Sequence, residues 1–106
     1  LTLLKCISIK KSMGWCNDIR FPRKYNKLFK IEKRVKHEKL KRKDYKYDLL
    51  IPIKYNFKKP IPGLGSCIFI HLTKDYKPTA GCIALKEKDF LIMLKLIKKN
   101  SKIKIF

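Results

Sequence analysis

The stretch "SCIFIHLTKDYKPTAGCIALKEKDF", Ser66 to Phe90, passes through three patterns in succession. In "SCIFIHL" Cys67, Phe69 and His71 face one way and Ile68, Ile70 and Leu72 the other, the period of two that makes a strand, which ends at or near His71. "TKDYKPTAG" has no such alternation and is bracketed by Pro78 and Gly81, so it reads as a loop. "CIAL" is a short apolar strand or turn. From Glu87 the period becomes helical: Phe90, Met93, Leu94 and Ile97 fall at i, i+3, i+4 and i+7 and share one face. Glu87 and Asp89 suit the positive end of a helix dipole, Lys98 and Lys99 the negative end, and Asn100 is a plausible stop.

Upstream, "KKPIPGLGS" (Lys58 to Ser66) holds two Pro and two Gly and is a turn or loop. "YDLLIPIKYN" (Tyr47 to Asn56) is apolar and β-branched and reads as a strand, with Pro52 predicting an edge or a bulge because proline cannot donate to a ladder. "TLLKCISIK" near the start and "KIKIF" at the end read as strands, the second by strict alternation. "KIEKRVKHEKLKRKDYKYD" reads as a polar connection with one short helical turn. The expected fold class is mainly β with one well-defined helix (α+β), in a single domain spanning residues 1–106.

A formal net charge of +20 raises the question of a polyanionic partner. The charge is spread evenly along the chain, however, and Lys outnumbers Arg 24 to 4. Base-edge and bidentate phosphate recognition favour the planar fork of Arg, so a solvated basic surface is expected and a specific nucleic-acid partner is not. A negatively charged polymer such as a cell wall can still attract such a surface. Cys6, Cys16, Cys67 and Cys82 lack the short gaps of a structural zinc site, and no metal or organic cofactor is expected. Their even number leaves disulfide pairing open. Lys5 interrupts the first apolar run before it reaches the length of a signal core, and no stretch is long enough for a transmembrane segment.

His71 at a strand end and Cys82 after a loop form a pair that can support thiol chemistry. A histidine can take the proton of a nearby thiol, and the loop is long enough to double back and bring the two within hydrogen-bond reach. Gly81 permits an unusual backbone angle beside the nucleophile, and the N–H groups around Gly81 and Cys82 are candidates for an oxyanion hole. The residues alone leave the bland reading open as well, a buried cysteine acting as a small hydrophobe and a structural histidine. Cys67, inside an apolar run, is assigned to the core.

"GWCND", "YN", "HEKL", "YDLLIPIKYN", "GLGSCIFIHL", "PTAGCIALKEKDFLIMLKLI" and "IKI" occur in that order, and together they resemble the L,D-transpeptidase catalytic domain of the YkuD type. The resemblance covers nearly the whole chain, and "GSCIFIHL" with "PTAGCIAL" is its most specific part. It implies a β-sandwich, incomplete at its N-terminus in this chain, with Cys82 as catalytic nucleophile, His71 as its base and the carbonyl of Leu72 orienting the imidazole. It further implies acyl transfer on peptidoglycan peptide stems through a thioester, in the periplasm or cell wall, with a β-lactam of the carbapenem type as inhibitor. Thr79-Ala80-Gly81-Cys82 stands where the family's better-known pattern has Ser or Thr, His, Gly, Cys, which places the chain in a "TAGC" branch. Ala80 has no side-chain donor to offer substrate.

Thr79, Ala80, Trp15 and Cys16 are the candidate substrate-binding residues. For each a structural role stands beside the functional one: turn cap for Thr79, packing anchor for Trp15, core for Cys16. Asn17 and Asp18 suit a turn. Glu38 and Asp44 suit either a solvated face or the cationic end of a diamino acid, and His37 is expected to be exposed. Two rival functions remain, a cell-wall peptidase or amidase using the same Cys and His, and a non-catalytic basic protein that binds nucleic acid or wall polyanions.

Overall fold

In the computed structural model, which describes residues 1–76, 79 and 81–104, the chain runs through β1 (Met13–Cys16), β2 (Leu28–Lys30), β3 (His37–Lys39), β4 (Leu50–Pro52), β5 (Phe69–Leu72), β6 (Ile83–Leu85) and α1 (Glu87–Leu96). The strands form two three-stranded sheets, ordered β2-β1-β3 and β4-β5-β6. The first is antiparallel throughout, with Gly14 opposite Phe29 and Trp15 opposite Glu38. In the second, β5 pairs antiparallel with β4 and parallel with β6. Among the described residues the fold is therefore mainly β with one helix, as the alternating patterns predict.

β5 is central, and all four of its side chains are buried. A strand covered on both faces needs apolar residues at both parities, which Phe69, Ile70 and Leu72 supply. Phe69 packs with Trp15, Leu40, Tyr47 and Leu50 between the sheets, whereas Ile70 and Leu72 pack with Ile51, Ile53 and Phe90 beneath the helix. Trp15 meets Phe69 edge-on at 5.1 Å between ring centroids, and Tyr47 meets it at 5.7 Å. Such pairs add about 0.5–1.5 kcal/mol each beyond their buried area. The predicted facing of Phe69 against Ile70 and Leu72 is thus the division between the two halves of the core.

Several elements differ from expectation. The strand expected over Tyr47–Asn56 is confined to Leu50–Pro52. Residues 1–7 run antiparallel along its outer edge, but only as isolated bridges, Leu3 to Ile53 and Ile7 to Leu50. The reason lies in Pro52: its carbonyl accepts the Leu4 N–H at 2.9 Å, but it has no N–H to return. The expected strand "TLLKCISIK" is therefore an interrupted ladder. The polar connection contains β3 and buries Val35, Leu40 and Tyr47. Its lysine content hid the strand, because an exposed edge takes charged residues freely.

Helix α1 buries Phe90 fully and seats Met93 and Leu94 on the core beneath it. It ends at Leu96, earlier than Lys98 and Lys99 suggest, because Ile97 turns extended (φ −68°, ψ 134°) and packs against the same core. Of the expected strand "KIKIF", Lys102 bridges Thr2, and Ile105 and Phe106 lie outside the described residues. No helix among the described residues is long and apolar enough to cross a membrane.

Candidate active site

His71 lies in β5, and Cys82 immediately precedes β6. The parallel register sets Ile70 beside Ile83 and His71 beside Ala84, so one step earlier it sets Phe69 beside Cys82. Paired residues share a face and successive residues alternate, which puts Phe69, His71 and Cys82 on the face toward the first sheet. Packing agrees: Cys82 touches the cluster of Trp15, Tyr47 and Phe69, while Ile83 and Leu85 touch the cluster under the helix. His71 and Cys82 are thus diagonal neighbours on one face, offset by two residues along adjacent strands.

The imidazole is fixed. His71 is 7% exposed, and its Nδ1 lies 2.8 Å from the Leu72 carbonyl oxygen. A carbonyl only accepts, so in the neutral ring Nδ1 carries the hydrogen and Nε2 presents a lone pair. The Tyr47 ring packs against it, with centroids 5.5 Å apart.

The Cys82 thiol donates to the Cys67 carbonyl at 3.1 Å. Burial pushes its pKa up, against the Phe69 backbone hydrogen bond, which lowers it, and the Glu38 carboxylate adds to the rise. The resting sulfur is therefore a protonated thiol, and to act as a nucleophile it would have to give its proton to a base. Gly81 adopts φ +122°, a backbone angle open to glycine, and this turns the chain into β6. The Thr79 hydroxyl donates to the Cys82 carbonyl across the same turn. Ala80 lies outside the described residues.

Cys67 is part-buried, with its Sγ 3.6 Å from the Ser66 hydroxyl. Its thiol is pushed up to about 12, chiefly by burial, and so stays protonated at neutral pH. All four cysteines are free thiols. Trp15 and Cys16 sit in β1 at 2% and 0% exposure. The Trp15 indole donates to the Asn26 side-chain oxygen at 2.8 Å, and the Cys16 carbonyl accepts from the Ser66 hydroxyl at 2.7 Å. Both residues support the site from beneath. Among the described residues, no group of three His, Cys, Asp or Glu is placed to hold a metal ion.

Sequence reasoning passed over two groups around this site. Tyr47 donates its hydroxyl to Glu38 at 3.0 Å and touches both Phe69 and His71, so it joins the acid to the base. Burial first, and then the Glu38 charge, push its phenol well above the usual range. The second group is a pair of asparagines, each preceded by tyrosine. Asn26 and Asn56 both take left-handed backbone angles, φ 56° and 49°, and Asn26 donates to the carbonyls of Tyr55 and Asn56. Asn56 in turn holds the loop before β5 through Ile61 and Gly65. The repeated Tyr-Asn dipeptide was the available signal. Among the remaining acids, Asp18 accepts from Arg20 and from the Lys36 N–H, and Asp44 takes a two-point contact from Arg42. His37 is half-buried against Phe29 rather than exposed.

Comparison with protein-family models matches residues 9–105 to YkuD, the L,D-transpeptidase catalytic domain. Comparisons with curated proteins and with solved structures gave no match.

Proposed function

The chain belongs to the YkuD family of L,D-transpeptidase catalytic domains, and from that premise we propose that it performs cysteine-dependent acyl transfer on peptidoglycan peptide stems. The observation that carries the reading is the placement of His71 in β5, with Nδ1 held by the Leu72 carbonyl, and of Cys82 just before β6, packed on the same cluster as Phe69 and Tyr47. Nε2 of His71 takes the thiol proton as Cys82 Sγ attacks the carbonyl of the stem's diamino acid. Backbone N–H groups around Gly81 and Cys82 receive the developing oxyanion. Collapse breaks the bond to the terminal D-alanine, whose amine leaves with the proton from His71, and a thioester remains. An amine on a neighbouring stem then attacks the thioester and frees the thiol.

Water in place of that amine makes the same site a peptidase, the nearest rival activity. Thr79 and Gly81 would line the approach to the sulfur. Trp15 and Cys16, being buried, serve substrate only by supporting Phe69 and the loop before β5. Action on cell-wall stems places the working site in the periplasm or wall, and the basic surface suits an anionic polymer.

The test is the first half-reaction. Incubation with a tetrapeptide stem is expected to release D-alanine and leave a hydroxylamine-sensitive acyl adduct on Cys82, lost in Cys82→Ala and slowed at least about a hundredfold in His71→Ala, the range of a general base. Release of D-alanine that survives Cys82→Ala would refute it.

A further inference from the structure

Glu38 stands where it works against the thiol. It lies in β3 opposite Trp15 and therefore shares the face that Trp15 turns toward Phe69. Through Tyr47 it is one side chain away from His71. A negative charge there holds the proton on Cys82, opposing the ionisation that attack requires. Such a carboxylate is tolerable at a thiol site if a cation arrives with the substrate.

The surroundings leave room for one. Both hydrogen bonds to Glu38, from Tyr47 at 3.0 Å and from Arg42 at 3.5 Å, fall on Oε1. Oε2 makes no hydrogen bond to any described residue, and the side chain is 34% exposed. The Arg42 guanidinium is committed elsewhere, with Nε and Nη2 on the two oxygens of Asp44 at 2.8 and 2.7 Å and its plane over the Tyr47 ring. Glu38 is thus held in place by a neutral phenol and only grazed by a cation. In a chain with 28 basic and 8 acidic residues, a carboxylate on the face turned toward the thiol, ion-paired through only one of its oxygens at 3.5 Å, is a distinctive charge.

We propose that Glu38 is a specificity-determining residue whose Oε2 receives a primary ammonium on the acyl donor, so that the site selects donors with a free side-chain amine on the diamino acid. The assignment rests on the acyl-transfer reading above. A bound ammonium neutralises Glu38, stops it opposing the thiolate, and so couples donor binding to readiness of Cys82.

The experiment measures acylation of Cys82 by intact mass, without acceptor, using a tetrapeptide stem with a free side-chain amine and the same stem N-acetylated. The wild-type chain is expected to prefer the free amine by about tenfold, the effect of a partly exposed charge-assisted hydrogen bond. Glu38→Gln keeps an acceptor for the Tyr47 hydroxyl. It should raise the half-saturating concentration of the free-amine stem, speed acylation by the acetylated stem, and bring the preference close to one. Glu38→Asp, which keeps the charge, should retain a preference. Equal acylation of the wild-type chain by both stems, or a preference that survives Glu38→Gln, overturns the Glu38 assignment and leaves the acyl-transfer reading standing. A wild-type Cys82 that accepts neither stem nor a carbapenem overturns both. A free-amine preference that appears only when an acceptor is added would move the ammonium to the acceptor and overturn the donor assignment.

Discussion

The role proposed for Cys82 requires it to lose a proton that its surroundings help it keep. Burial acts first, and Glu38 adds to it, so the thiol titrates above the ordinary cysteine value. A raised pKa means less thiolate at neutral pH, not more. Alkylation of Cys82 by iodoacetamide should therefore be slow at pH 7 and rise through an inflection above about 8.5, the value of a free cysteine. Glu38→Gln should move that inflection down. An inflection below 7 would mean a preformed thiolate and would contradict the picture of a thiol deprotonated during attack. Cys67 is the internal comparison: at about 12 it should resist alkylation across the same range.

At the scale of elements, the site depends on what holds the start of β5. Asn26 is 3% exposed, takes the Trp15 indole hydrogen and gives its own to the carbonyls of Tyr55 and Asn56. Asn26→Ala leaves the buried Trp15 N–H and two half-buried carbonyls without this partner and should cost about 2–4 kcal/mol in urea unfolding. The lost hydrogen bond beneath Trp15 should also reduce Cys82 acylation in the fraction that stays folded. A variant of wild-type stability would show that the asparagine pair is incidental. This level was only partly legible in the sequence. The strand at His71, the helix from Glu87 and the loop between them follow from period and from Pro and Gly. β1 and β3 did not, since "MGWC" and "HEK" are too short to show alternation and their burial comes from partners distant in the chain. His71 and Cys82 were visible as a pair. Glu38 was legible only as one of two acids suited to a solvated face or a cationic group, and Tyr47 not at all, because only the register of β3 on β1 and the packing between sheets bring them to this face.

Across the described residues, a β-sheet is covered by a second sheet on one face and by a helix on the other, and His71 and Cys82 lie on the face between the sheets. The surplus of positive charge has a consequence for acid stability. Asp18, at 1% exposure, is held well below the usual carboxylate range, first by its hydrogen bonds from the Arg20 guanidinium, against burial, and then by the Lys36 N–H. Its folded pKa is depressed, so the stability it adds is present above about pH 4, the unfolded value, and is lost as pH falls toward the folded value. The urea midpoint should therefore drop as pH falls below 4, and Asp18→Asn should be less stable at pH 7 and show a smaller drop. An identical acid profile in the variant would remove Asp18 from that account. The basic surface itself should bear little on the chemistry: Cys82 acylation should respond weakly to salt, whereas binding of a polyanion falls steeply with it. The most direct test of the central claim, that Cys82 is the nucleophile and His71 its base, is intact-mass analysis after exposure to a carbapenem. The account predicts one covalent adduct, mapped to Cys82, absent in Cys82→Ala and formed far more slowly in His71→Ala. A wild-type Cys82 that stays unmodified, or an adduct that forms equally fast without His71, would contradict it.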